Sequence, residues 1–261
     1  MNQSFTLKLS AGQVNAWRFG QGEHLLIALH GFSDQGQMFE LLARSLSERF
    51  RLIALDLPFH GQTLWYKNDF SKQDLLGIIS KVLEQEGSTR FSLLGFSFGA
   101  RLAQGMLSEL AAQLDHLYLL SPDGIKTKGM GAAENTPMWV RRWLFRTAQN
   151  VDHLHTLLRL GQKMHLISPM ILAFLIKNLS RPERVQRSFG CWLSMDDFKI
   201  KRIEIQRILK ETKLPTEIII GAKDPLIYLD DLKAFYGSIS SVRFTVLQGE
   251  GHRISKHWQL S

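Results

Sequence analysis

Six short apolar runs, at residues 25–29, 52–55, 91–94, 117–120, 218–220 and 244–247, are rich in Leu, Ile and Val, unbroken by charge, and bounded by Gly, Pro or Asp. Runs this short, without polar alternation, are what strands buried on both faces require. Helical patterns lie between them at 38–49, 72–86, 98–110 and 229–238. Strand alternating with helix predicts a mostly parallel sheet wrapped on both sides, an α/β chain built as a three-layer α/β/α sandwich.

The start of the chain reads differently. Residues 5–9 and 14–19 alternate apolar and polar side chains around Ala11-Gly12, which predicts an antiparallel hairpin at the sheet edge. A second departure falls at 125–195, where helical patterns at 137–149, 151–163, 169–179 and 182–193 replace the alternation. The 261 residues suit one large domain with one insertion: a core at 1–124 and 196–261 and an inserted helical cap at 125–195. No internal repeat or low-complexity tract is visible.

Gly95-Phe96-Ser97-Phe98-Gly99 follows the run 91–94 and opens the small-residue helix Ala100-Arg101-Leu102-Ala103. Ser97 therefore stands where a strand turns sharply into a helix, the pattern of a nucleophile elbow. The flanking glycines suit a turn that brings backbone against backbone. A serine between glycines also fits a plain turn, so the weight comes from two later residues. Asp224, in Gly221-Ala222-Lys223-Asp224-Pro225, and His252, in Gly249-Glu250-Gly251-His252, each follow a predicted strand. They complete the chain order Ser, Asp, His. Asp-Pro is itself a turn signal, which leaves a purely local role open for Asp224. Asp34 and Asp56 are rival acids that precede Ser97, with Asp56 expected to tie down its own loop. His30 and His60 are expected to shape loops, and Cys191 to be an inert core thiol.

These motifs resemble the α/β-hydrolase fold superfamily, in its single-domain form with a helical cap. The resemblance also draws on His30-Gly31-Phe32 after the first buried strand and on Asp56-Leu57-Pro58-Phe59-His60-Gly61-Gln62-Thr63 after the next, so it runs from His30 to His252. Members usually carry Gly at the place of Phe59, Ser at that of Thr63 and often Gly at that of Ala100. The resemblance implies a serine hydrolase that cleaves a carboxylic ester or related acyl bond. In it, Ser97 attacks the carbonyl, His252 takes the proton and Asp224 orients the imidazole. The backbone N–H groups of Phe32 and Phe98 would hold the oxyanion. A serine at the elbow speaks against the relatives with an aspartate nucleophile, the haloalkane dehalogenases and epoxide hydrolases. Two alternatives stay open. Arg101 after the elbow resembles the cyclohexadiene-carboxylate synthase of menaquinone biosynthesis, a lyase with the same triad, although an arginine there can equally be ion-paired on its helix. A non-catalytic ligand-binding member of the fold is the other.

The formal net charge is +8, and residues 121–210 hold 16 Lys and Arg against 7 Asp and Glu, so the surplus sits in and around the cap. There Trp139, Trp143 and Phe145 interleave with Arg141, Arg142 and Arg146. Arg101, Trp139 and Trp143 are candidate substrate-binding residues for an apolar small-molecule ester or acyl substrate with an anionic group. Simple packing of the aromatics, with the arginines in water, is the plain alternative. Peripheral contact of this basic, aromatic cap with an anionic membrane surface also stays open. No motif supports nucleic-acid binding, no Gly-x-Gly-x-x-Gly follows a strand, and the histidines lack metal-ligand spacing, so neither metal nor cofactor is expected. One cysteine, no secretion-signal pattern and no membrane-length apolar run make a cytoplasmic protein the default expectation. The acyl chain, leaving group and oligomeric state are left open.

Overall fold

The first hairpin pairs β1 (Gln3–Leu9) with β2 (Gly12–Phe19), bringing Leu9 opposite Gly12 and Gln3 opposite Arg18. The structure, a computed structural model, describes residues 3–123, 136–148, 150–164, 172, 176 and 179–254. β2 also runs antiparallel to β4 (Phe50–Leu55), and from there the sheet is parallel. The order is β1-β2-β4-β3-β6-β7-β8-β9, where β3 is His24–Leu29, β6 Phe91–Phe96, β7 Leu114–Leu120, β8 Thr216–Gly221 and β9 Val242–Leu247. A two-residue strand, β5 (Leu64–Trp65), pairs with β2. The six apolar runs thus become the six parallel strands, each extended by up to three residues.

Both faces of the central strands are buried, as unbroken apolar strands demand, whereas β9, an edge strand with a single neighbour, is only half-buried, short of the two-sided burial expected of the run 244–247. Leu25, Ile27 and Leu29 of β3 point into one cluster, while Leu26 and Ala28 point into the other. The first cluster takes in α2 (Lys72–Glu86), α3 (Phe98–Gly105), α4 (Leu107–Leu110), α8 (Arg202–Thr212) and α9 (Leu229–Tyr236). The opposite face is covered by α1 (Glu40–Leu46) and the short 3-10 turn before it. α2 begins on a capping box, with the Ser71 hydroxyl accepting from the Asp74 N–H and the Asp74 carboxylate accepting from the Ser71 N–H. It ends at Gly87, whose φ of 62° turns the chain left-handed. α8 had no counterpart among the sequence patterns. Five of its eleven residues are charged, and its apolar face is the narrow stripe Ile205, Ile208 and Leu209.

Between β7 and α8 in the chain lie α5 (Met138–Ala148), α6 (Val151–Lys163) and α7 (Pro182–Ser194). They share an apolar cluster of their own, built from Phe145, Ala148, Leu154, Leu179, Val185, Phe189 and Leu193. The pattern at 169–179 falls largely outside the described residues, as does 124–135. α7 is seated on the core: the Ser194 hydroxyl accepts from the Phe70 N–H at 2.8 Å and donates to the Gly190 carbonyl at 2.7 Å. One turn earlier in α7, a β-carbon on Gly190 would stand 2.4 Å from the Phe59 ring, so only glycine lets the helix come this close. Among the described residues no helix is long and apolar enough to cross a membrane.

Candidate active site

Parallel strands deliver their following loops to one edge of the sheet, and three such loops meet here. The chain leaves β6, turns at Ser97 with φ 50° and ψ −110°, and enters α3 at Phe98. A left-handed φ at a residue with a β-carbon costs about 1–2 kcal/mol. The surroundings enforce it: the Ser97 N–H donates to the Leu120 carbonyl at 2.9 Å, and its own carbonyl accepts from Ala100 and Arg101. A β-carbon on Gly95 would lie 2.5 Å from the Ala100 Cα, and one on Gly99 would lie 2.1 Å from the Leu29 carbonyl oxygen. Those contacts explain both glycines of the pentapeptide.

Asp224 comes from the turn after β8. Its Oδ1 accepts from the N–H groups of Leu226 at 2.8 Å and Ile227 at 3.0 Å, which leaves Oδ2 for another partner. That partner is His252, whose Nδ1 donates to Oδ2 at 2.8 Å while its Nε2 accepts from the Ser97 Oγ at 2.9 Å. Asp224 thus holds its own turn and the imidazole together. Burial works to raise its pKa, but the bonds from His252 and the two backbone N–H groups prevail and hold it below the usual carboxylate range. The His252 loop is fixed beside it by the Lys223 N–H, which donates to the Glu250 carbonyl at 2.8 Å, and the Phe96 ring lies 5.5 Å from the imidazole.

The rival acids are occupied elsewhere. Asp56 is fully buried and accepts from Asn15 Nδ2, Trp17 Nε1 and the N–H groups of Gly36 and Gln62, so it ties its loop to β2. Asp34 pairs with Arg253 at 2.7 Å. A third carboxylate, Asp123 beyond the end of β7, escaped the sequence reading although it follows a buried strand much as Asp224 does. It is buried and takes a two-pronged bond from Arg101, Nε to Oδ2 at 2.9 Å and Nη2 to Oδ1 at 3.0 Å. Gln104 extends this network from the Asp123 carbonyl to the Tyr236 hydroxyl. Arg101, a candidate substrate-binding residue, therefore sits inside the core beneath the turn, with its guanidinium on Asp123.

Two N–H groups are the candidate oxyanion donors. That of Phe98 opens α3, where a helix start leaves amide protons unpaired. That of Phe32 is aimed by its own peptide: the Gly31 carbonyl accepts from His30 Nδ1 at 2.7 Å and from the Asp34 N–H at 3.1 Å, which turns the N–H of the next residue the opposite way. Among the described residues neither N–H meets a protein acceptor. His30 Nε2 accepts from the Leu57 N–H at 3.0 Å, and His60 Nε2 from the Ser33 N–H at 3.3 Å, so both rings are neutral spacers between loops. Burial lowers His30 to about 4; burial, with His30 beside it, lowers His60 to about 3. Phe59, where relatives of this pattern carry Gly, has a φ of 69°. Its ring packs on Phe70, at 6.3 Å, and on Gly190. Thr63 keeps the hydroxyl its position needs, donating to the Asp56 carbonyl at 2.6 Å. Cys191 is buried in the core, and burial pushes its thiol up to about 12.

The aromatic helix α5 meets the packing alternative in part: Phe145 is buried and Arg142 and Arg146 are exposed, but the two tryptophans and Arg141 are reversed. Trp139 and Trp143 are 74% and 55% exposed, whereas Arg141 is 1% exposed, paired with Asp196 at 3.2 Å and set over the Trp192 ring. Phe145 packs inward. A cleft of about 830 Å³ is lined by Phe96 and Arg253, the chain neighbours of Ser97 and His252, together with Ser33, Asp34, Leu120 and Arg187. Neither tryptophan lines it.

Comparison with known proteins gives the same architecture. A family model described as the alpha/beta hydrolase fold matches residues 24–255. A monoacylglycerol lipase of Xenopus laevis is 22% identical over 241 residues, covering 88% of this chain and 70% of the relative. A pimeloyl-(acyl-carrier protein) methyl ester esterase of Nitrosomonas europaea is 28% identical over 117 residues, but these span only 45% of this chain and 39% of that protein. Among solved structures, an esterase of Thermogutta terrifontis superposes with a TM-score of 0.69 at 16% identity, covering 96% of this chain and 91% of the esterase. The thioesterase domain from the curacin biosynthetic pathway superposes with a TM-score of 0.66 at 20% identity, covering 97% and 94%.

Proposed function

The chain belongs to the α/β-hydrolase fold family, and from that premise we propose that it is a serine hydrolase cleaving a carboxylic ester or related acyl bond, with Ser97, His252 and Asp224 as its triad. The observation that carries this reading is the unbroken pair of hydrogen bonds from Ser97 through His252 to Asp224, at 2.9 and 2.8 Å.

In this mechanism the Ser97 Oγ adds to the substrate carbonyl carbon as its proton passes to His252 Nε2. Nδ1 stays bonded to ionised Asp224, which fixes the tautomer and stabilises the imidazolium. The new oxyanion takes the N–H groups of Phe32 and Phe98, each worth about 3–4 kcal/mol in the transition state. Collapse of the tetrahedral intermediate breaks the bond to the leaving group, which receives the proton from Nε2. The acyl-serine is then hydrolysed by a water that His252 deprotonates in turn. Helices α5–α7 serve as the cap over this edge of the sheet, and a small acyl substrate enters beneath them. An elimination on the same triad drew its support from Arg101, whose guanidinium is held by Asp123; hydrolysis is the reading the site supports better.

The test is a fluorophosphonate probe on the wild type, Ser97→Ala and His252→Ala. Labelling of the wild type and loss in both variants is expected, together with turnover of p-nitrophenyl esters. Wild-type labelling that persists in Ser97→Ala would place the activated nucleophile elsewhere, and a folded wild type that neither labels nor turns over esters would sink the reading.

A further inference from the structure

The cleft lined by Phe96 and Arg253, the chain neighbours of Ser97 and His252, contains a cation that the mechanism above does not use. Arg187 lies on α7 three residues before Gly190, so the two share the face that presses on the Phe59 loop. Its Nε donates to the Phe59 carbonyl at 3.3 Å, and this is its one hydrogen bond among the described residues. Among the described residues neither Nη group has a partner, and the side chain lines the cleft together with Phe96, Leu120 and Gly61. The other cation on the cleft wall, Arg253, is neutralised by Asp34 at 2.7 Å. The Arg187 charge reaches the histidines that shape the two loops: it opposes protonation of both His30 and His60.

A half-buried guanidinium anchored through Nε presents its two Nη groups as a fork, the geometry that matches the two oxygens of a carboxylate. Glu40, the other carboxylate that lines the cleft, is paired with Arg44 at 2.8 Å, so among the described residues Arg187 is the positive charge left to balance, and it matches one negative charge; a phosphate dianion would leave a surplus in this cleft. Resting on the serine-hydrolase reading, we propose that Arg187 is a specificity-determining residue that binds a carboxylate on the substrate, so that the preferred esters or thioesters carry a second, anionic end. The apolar floor of Phe96 and Leu120 then bears the chain between that carboxylate and the scissile carbonyl held at Ser97.

Two pairs of esters matched in length test this. p-Nitrophenyl hydrogen adipate against p-nitrophenyl hexanoate places the charge on the acyl half, and 4-carboxyphenyl hexanoate against phenyl hexanoate places it on the leaving half. The wild type is expected to favour the charged member of one pair by about tenfold in kcat/KM, mainly through KM. That ratio should fall to near one in Arg187→Gln and Arg187→Met and recover in part in Arg187→Lys. A variant that merely folds less well lowers both members of a pair and leaves their ratio unchanged. A wild-type ratio near one in both pairs, or a preference that survives in Arg187→Gln and Arg187→Met, overturns the proposal. Fluorophosphonate labelling run alongside separates the two readings. With Ser97 labelled and the ratio near one, only the carboxylate site falls; with neither labelling nor turnover, the hydrolase reading falls with it.

Discussion

At the scale of single residues, Asp224 does two jobs with two oxygens. Oδ1 holds the N–H groups of Leu226 and Ile227, and Oδ2 holds His252. An amide has one oxygen: kept on the Leu226 and Ile227 N–H groups it presents its NH2 to Nδ1, and turned toward Nδ1 it gives up those two bonds. In the NH2 orientation it forces the tautomer with the proton on Nε2, which cannot accept from Ser97. Asp224→Asn should therefore fold and lower kcat about 10⁴-fold on any turned-over ester, with little change in melting temperature. A variant within tenfold of the wild type would move the acid to another residue. Phe59 shows the same economy. Its left-handed backbone costs about 1 kcal/mol that Gly would avoid, yet its ring fills the contact between Phe70 and α7.

At the scale of elements, the geometry of the turn at Ser97 depends on how α3 is tied to the end of β7. The Arg101–Asp123 fork supplies that tie inside the core, where both side chains are about nine-tenths buried. Asp123→Ala would strand a guanidinium in a buried site, and removing one partner of such a pair costs about 3–5 kcal/mol. Urea denaturation should show this as a lowered midpoint, whereas Arg101→Met with Asp123→Leu together should recover much of the loss. If the single variant is as stable as the wild type, the pair is not the brace described. The seat of α7 is equally specific. Gly190→Ala must push the helix off the Phe59 ring, because the added carbon would sit 2.4 Å from it. The expected result is easier proteolysis within 136–195 while the sheet core keeps its thermal transition, and an unchanged digestion pattern would contradict this.

At the scale of the whole molecule, His30 and His60 link the loops over the sheet edge and couple stability to pH. Their pKa values, about 4 and about 3, lie below the 6.5 of an unfolded histidine. As pH falls below 6.5 the unfolded chain takes up protons that the folded chain refuses. Their contribution is therefore intact above pH 6.5 and is lost as pH falls toward 4, at about 1.4 kcal/mol per pH unit for each histidine. Urea midpoints should drop steeply between pH 6.5 and 4.5 and more gently in His60→Gln; a flat wild-type profile over that range would refute the coupling. The sequence by itself determined the sheet, because runs such as Leu25-Leu26-Ile27-Ala28-Leu29 can be satisfied only where both faces are covered, and the alternation with helices then forces parallel pairing. It also marked Ser97, Asp224 and His252, since each stands just past a strand, where loops gather. It left α8 unmarked, because a stripe of Ile205, Ile208 and Leu209 among five charges is too narrow to stand out. Only the tertiary structure decided which carboxylate meets which basic side chain. Asp123, Asp34 and Asp224 all follow strands, and their partners Arg101, Arg253 and His252 are 22, 219 and 28 residues away. The burial of Arg141, the exposure of Trp139 and Trp143 and the seat of Arg187 on the Phe59 carbonyl were set in the same way, by how the inserted helices pack, which follows from side-chain volume and close contact rather than from residue type and spacing.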